Sequence, residues 1–108
     1  MTYIIWDTET TGLNPLVDDI IEVGMRVVHD DGTHTDHQWL LDHDRPVPDH
    51  IVKITGITTE LLKAEGRSPY EVFADVDALL VAQGSQLQVC HNGLRFDADF
   101  LAQSMKRH

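Results

Sequence analysis

The sequence predicts an α/β fold built on a mixed sheet, with elements in the order βββαβα. Three observations carry that expectation. The first half alternates apolar and polar residues with a period of two around a hairpin signal, Asp30-Asp31-Gly32. The second half changes to a helical period after Pro46 and Pro48. A short apolar run, residues 87–90, then interrupts the helices as an isolated strand.

Residues 3–6 form an apolar run that meets Asp7, the pattern of a strand buried on both faces that ends at a polar edge. Over residues 18–28, Ile21, Val23, Met25 and Val27 alternate with Glu22, Gly24 and Arg26, which predicts a half-buried second strand. The turn at Asp30-Asp31-Gly32 leads into a third strand over residues 33–41, completing an antiparallel meander. Short helices are expected over residues 48–54 and 58–64. Ser68-Pro69-Tyr70-Glu71 then announces a longer one: Ser68 as N-cap, Pro69 at the first helical position and Glu71 closing a capping box. Val72, Phe73, Val76, Leu79 and Leu80 supply its apolar stripe, and Gly84 its stop. Phe96, Phe100, Leu101 and Met105 mark a last helix.

At 108 residues, with 42% apolar residues, the chain suits one domain with a core of its own. No apolar run approaches the ~20 residues needed to span a bilayer, and the N-terminus does not read as a signal peptide. One cysteine, Cys90, excludes an internal disulfide and points to a reducing cytoplasm, with Cys90 itself a small buried hydrophobe. Eight basic residues against eighteen acidic ones give a net charge of −10. That balance is unusual for a nucleic-acid binder, so phosphate affinity would have to rest on bound cations, on backbone N–H groups or on a partner. His29, His34, His37, His43 and His50 show no spacing that converges on one metal and read as surface residues. Trp6 and Trp39 read as core packing.

The chemistry lies where the first strand ends. Asp7 and Glu9, two apart, fall on one side of a strand, roughly 6–7 Å apart. Like charges so placed repel unless a cation sits between them, and hard oxygen donors of this kind suit Mg²⁺ or Mn²⁺. With the residues that follow, Asp7-Thr8-Glu9-Thr10-Thr11-Gly12-Leu13 resembles the first motif of the DEDD (DnaQ-like) 3′–5′ exonuclease superfamily, whose fold is ribonuclease-H-like. Ile54-Thr55-Gly56-Ile57-Thr58 resembles a groove-lining segment that many members write His-Gly-Ile-Thr, with Thr55 in place of the His. His91-Asn92-Gly93-Leu94-Arg95-Phe96-Asp97 resembles the second motif, with three residues between Asn and Phe where the proofreading-subunit form has two. The longer spacing is closer to the exonuclease domains of some DNA polymerases and phage enzymes.

The resemblance implies hydrolysis of phosphodiester bonds at the 3′ end of DNA or RNA with two divalent cations, Mg²⁺ or Mn²⁺, about 4 Å apart. Asp7 would bridge both ions, Glu9 would bind one and Asp97 the second. Thr10, Thr11, Gly12, Leu13, Thr55, Asn92 and Phe96 would contact the substrate. A DNA polymerase or a complementing chain is the implied partner, with no role for a membrane. The family's third motif, a His or Tyr base followed by an acidic ligand, has no match, His108 being the last residue. Residues 1–108 are accordingly expected to be the N-terminal portion of an exonuclease domain, without the final strand and helix, and to bind metal weakly and turn over little. Two other readings fit parts of the pattern. A non-catalytic module docking on a polymerase or strand end would suit the acidic surface. A haloacid-dehalogenase-like phosphotransferase also opens with acids after an apolar strand, but needs Asp at Glu9, and its doubly wound sheet does not accommodate an antiparallel hairpin at this point.

Overall fold

Alternation of side chains carries the first strand further than its apolar run. In the computed structural model, which describes residues 3–14, 16–83 and 87–90, β1 spans Tyr3–Thr10. Ile4, Trp6 and Thr8 are buried on one face, while Ile5, Asp7 and Glu9 are half-buried on the other. The expected boundary at Trp6 is therefore corrected: the acids lie inside the strand, because a polar residue at every second position is compatible with one covered and one open face.

β2 (Ile20–Val28) pairs antiparallel with β1, and β3 (His34–Leu40) pairs antiparallel with β2. The β2–β3 connection closes through His29 N donating to Thr33 O at 2.8 Å, around Asp30-Asp31-Gly32 with Gly32 at φ +87°. A three-residue loop with glycine in the left-handed region is a standard hairpin solution. Asp31 Oδ1 accepts from Thr33 N at 2.9 Å and from Thr33 Oγ1 at 2.6 Å. These hydrogen bonds, the hydroxyl's first, hold the Asp31 carboxyl below the usual carboxylate range. A carboxyl whose folded-state pKa is lowered adds stability above its unfolded pKa and loses it as pH falls through the folded value. The difference in thermal midpoint between the wild type and Asp31→Ala should therefore shrink on acidification from neutral pH. Melting curves across the acid range test this, and a gap constant with pH would contradict it.

Pro48 precedes α1 (Asp49–Thr55), and Gly56 ends it in the left-handed conformation, φ +77°, its N–H donating to Val52 O. Thr58 caps α2 (Thr59–Glu65), its hydroxyl accepting from Leu61 N at 3.0 Å. α3 (Pro69–Gln83) begins after Ser68, whose hydroxyl accepts from Glu71 N at 3.2 Å. The Glu71 carboxylate turns to Arg67 Nε at 3.3 Å, so the expected capping box is represented by its Ser68 half. β4 (Leu87–Cys90) runs parallel to β1, and the sheet order is β3-β2-β1-β4. The expected stop at Gly84 and the expected last helix, with Phe96, Phe100, Leu101 and Met105, lie outside the described residues. No helix among the described residues is long and apolar enough to cross a membrane.

Two cores meet at a β-bulge. Glu9 pairs with Glu22 and Thr10 with Ile20, leaving Ile21 as an extra residue in β2. Ile20 joins Ile4, Trp6, Val23, Met25 and Val27 under Val72, Phe73 and Val76 of α3. Ile21 joins Val47, Ile51, Ile57 and Leu62, the cluster that holds α1 and α2. One inserted residue thus lets neighbouring isoleucines anchor different helices. It also sits beside Glu9, and bulges are common next to active sites, where they re-aim side chains.

Candidate metal and substrate site

Register decides which residues share a face with the acids. Asp7 is paired with Gly24 and Glu9 with Glu22, and directly opposed residues of an antiparallel pair project to the same side. Asp7, Glu9 and Glu22 therefore form one acidic patch. Glu22 is the residue the motif comparison missed; its alternation with Val23 and Ile21 was visible, but its partner across the sheet was not. Gln38 Nε2 donates to Glu22 Oε2 at 2.5 Å from the neighbouring strand and fixes its carboxylate. Asp7 Oδ1 accepts from Thr8 N at 2.9 Å. Beside Asp7, a side chain at Gly24 would meet open space, and a cleft of about 330 Å³ runs over this face between Asp7, Gly24, Arg26 and Gln38.

The donor chemistry fits a divalent cation. Carboxylates opposed across a strand pair destabilise the sheet unless a positive charge lies between them, and carboxylates such as those of Asp7 and Glu9 offer the hard oxygen donors that suit Mg²⁺ and Mn²⁺. Among the described residues no group of three or more metal-binding side chains is arranged to hold an ion by itself. Asp97, the third expected ligand, lies outside them, as do Asn92 and Phe96.

The loop following β1 is folded by its polar groups. Thr11 N donates to Asp19 O and Asp19 N donates to Thr11 Oγ1, both at 2.9 Å, closing the loop at its base. Thr10 Oγ1 donates to Gly12 O at 2.8 Å. Asn14 N donates to Asp18 Oδ2 at 2.9 Å, and Asn14 returns acceptors to the backbone N–H groups of Leu16, Val17 and Asp18. A Cβ on Gly12 would lie 2.4–2.8 Å from the Asp18 carboxylate, so a side chain there would displace Asp18 from its hydrogen bond with Asn14 N. Thr10 and Thr11 thus spend their hydroxyls on loop closure, whereas Leu13 stands 83% exposed.

Behind the loop base, Asp19 has a side chain only 7% exposed and accepts from Arg45 Nη2 at 2.8 Å. His43 lies beside it with its side chain 3% exposed, Nδ1 at 3.5 Å from Asp19 Oδ1 and Nε2 donating to Ile20 O at 2.7 Å. Its expected place on the surface is therefore corrected. A scattered histidine gives no sign in the sequence that a carbonyl and a carboxylate will converge on it. Trp6 is in the core as expected, and Trp39 packs partly against it while stacking on His37 at 5.9 Å between ring centroids.

The segment 54–58 borders the same face. Glu22, Gln38 and Leu40 line a second cleft with Ile57, Leu61 and Glu65. Thr55 Oγ1 donates to Ile51 O at 2.8 Å and accepts from Ile57 N at 3.1 Å, so its hydroxyl serves the turn at Gly56.

Comparisons with known proteins give the family and the fold. The family model RNase_T, described as an exonuclease, matches residues 4–108. The chain belongs to the RNase_T exonuclease family. It is 33% identical over 112 residues to the DNA polymerase III PolC-type of Mycoplasma genitalium, and 35% identical over 106 residues to that of Thermotoga petrophila. These alignments cover 99% and 98% of this chain but 7% of each polymerase, so the chain spans about a fourteenth of the length of those relatives. Among solved structures it resembles Escherichia coli exonuclease I in complex with a dT13 oligonucleotide, with a TM-score of 0.85 at 21% identity over 98% of this chain and 24% of that one. The zinc-bound E. coli exonuclease I–ssDNA complex matches at 0.86, with the same identity and coverage. The DnaQ-like, ribonuclease-H-like α/β fold expected from the motifs is thus the fold of this chain, and a doubly wound phosphotransferase sheet is excluded by the antiparallel β1–β2 pairing.

Proposed function

We propose that this chain carries the metal-binding and strand-gripping half of a 3′–5′ exonuclease site. Such a site hydrolyses phosphodiester bonds at the 3′ end of a nucleic acid with Mg²⁺ or Mn²⁺. The observation that carries the reading is the placement of Asp7 and Glu9 on one sheet face, opposite Gly24 and Glu22 respectively, in a chain of the exonuclease family. Asp7 and Glu9 are the proposed ligands for the pair of divalent ions, with Asp97 completing the set. When bound, those ions supply water activation and charge stabilisation at the departing 3′ oxygen. The residues of the chain position the strand: Leu13 at the terminal nucleotide, with Thr10, Thr11 and Gly12 shaping the loop that presents it, and Thr55, Asn92 and Phe96 bordering the path. Similarity to PolC-type polymerases supports proofreading beside a polymerase as the setting, in the cytoplasm.

The test is product analysis. Any turnover in Mn²⁺ or Mg²⁺ should shorten a single-stranded oligonucleotide labelled at its 5′ end stepwise from its 3′ end, releasing mononucleotides. EDTA should stop the reaction. Internal cuts, shortening from the 5′ end, or a chain that neither binds nor degrades the strand in either metal would overturn the reading.

A further inference from the structure

On the open face of the sheet, register sets the side chains in rows across three strands. Asp36, Arg26 and Ile5 share one row, Gln38, Gly24 and Asp7 the next, and Leu40, Glu22 and Glu9 the third. Gly24 leaves the middle of this grid empty, so Asp7, Glu9 and Glu22 lie around one gap. The two clefts of this face, about 330 and 380 Å³, share Glu22 and Gln38 in their walls. The Glu22 carboxylate thus stands where both clefts open to water.

Among the described residues, no cation is paired with Glu22. Arg26 is the one arginine or lysine in these rows, and it is locked to Asp36 through Nε at 2.7 Å and Nη2 at 3.0 Å. Lys53 and Lys63 are exposed on α1 and α2 and form no ion pair with it. Gln38 holds Glu22 with a neutral amide instead: Nε2 donates to Oε2 at 2.5 Å, which fixes the carboxylate and leaves its charge in place. Oε1 carries no hydrogen bond among the described residues. A glutamate directly opposite a glutamate costs the sheet stability. Glutamine at this position would accept the same amide without the repulsion, so the retained charge points to a ligand of opposite sign.

Resting on the function proposed above, we infer that Glu22 is a positioning residue for the divalent ions, acting from outside the ligand set of Asp7 and Glu9. Mg²⁺ is usually held by one or two carboxylates and keeps several of its waters. A further carboxylate fixed nearby accepts hydrogen bonds from that water shell and adds to the negative field at the site. Oε1 of Glu22 is the atom assigned to this task, with Gln38 holding Oε2 from the neighbouring strand. Removing outer partners of this kind typically costs roughly 10- to 100-fold in metal affinity.

Calorimetric titration of Mn²⁺ into the metal-free chain tests this, with Glu22→Gln, Glu65→Gln and Asp7→Asn beside the wild type. Glu22→Gln keeps an oxygen for the Gln38 amide and removes only the charge. It should weaken Mn²⁺ binding roughly tenfold or more and leave the metal-free thermal midpoint unchanged or slightly higher. Glu65→Gln removes a charge from the far wall of the second cleft. It should leave the affinity within about a factor of two, as screened surface charges do. Equal losses in these two variants, or no loss in Glu22→Gln, overturn the assignment; if Asp7→Asn still abolishes binding, the proposed metal site stands. A lowered metal-free midpoint in Glu22→Gln would make Glu22 a structural residue and overturn the assignment. A loss as complete as that of Asp7→Asn would make Glu22 a ligand itself and overturn its outer role. No Mn²⁺ binding by the wild type overturns both the assignment and the exonuclease reading beneath it.

Discussion

Asp7→Asn is expected to abolish metal-dependent stabilisation of the protein while leaving its metal-free thermal midpoint unchanged or slightly raised. Asn retains the Oδ1 that accepts from Thr8 N, so the local hydrogen bond is kept. What is lost is one of three carboxylates, Asp7, Glu9 and Glu22, that the β1–β2 register gathers on one face. Without a cation these repel, and removing one relieves the strain. With a cation the sign reverses. A ligand that binds only the folded state stabilises it by about 2.7 kcal/mol at one hundred times its dissociation constant. In a domain of this size that is a rise in midpoint of roughly 10 °C or more. Melting curves of wild type and Asp7→Asn with and without Mn²⁺ check this. Whatever nucleotide release the wild type supports should fall in parallel by about a thousandfold or more, since losing several kcal/mol of charge stabilisation costs a factor of ten per 1.36 kcal/mol. An equal Mn²⁺ shift in the variant would remove Asp7 from the site.

The architecture was legible because its punctuation is local. Gly32 and the Asp31–Thr33 hydrogen bonds make the hairpin, Pro48 and Gly56 bound α1, and Ser68 with Pro69 starts α3; each acts within a few residues of itself. What escaped sequence reasoning depends on strand register or on distant partners. Glu22 becomes interesting only when Glu9 is found opposite it. His43 is buried because Ile20 O and the Asp19 carboxylate, more than twenty positions away, come to meet it. Gly12 reads as a motif letter in the sequence, whereas the structure places beside it the Asp18 carboxylate that holds Asn14 N. The apolar run does not mark the end of β1, because Thr8, buried between two half-buried acids, continues the alternation to Thr10.

The bulge at Ile21 was also hidden, since adjacent isoleucines in an apolar strand give no hint that they face different cores. Its consequence is the second large prediction. Ile21→Ala should destabilise the fold by about 2–5 kcal/mol, the usual cost of deleting a fully buried branched side chain. That is a large share of the roughly 5–15 kcal/mol that holds a domain together. Ile20→Ala should cost a similar amount, because Ile20 is equally buried. The two should nevertheless fail in different places. Ile21 packs on Val47, Ile51, Ile57 and Leu62, so its loss loosens α1 and α2 from the sheet. Ile20 packs under α3, so its loss leaves that attachment intact. Lys53 and Lys63 lie exposed in α1 and α2 and report the difference. Under native conditions trypsin should cut at these lysines faster in Ile21→Ala than in Ile20→Ala, at matched global stability. Equal rates would mean that the two cores open as one unit. Because Ile57 and Leu61 also wall the cleft beside Glu22, detachment of α1 and α2 would widen the proposed substrate path without touching a carboxylate. The variant should then weaken oligonucleotide binding more than it weakens Mn²⁺ binding, which separates the groove wall from the metal site.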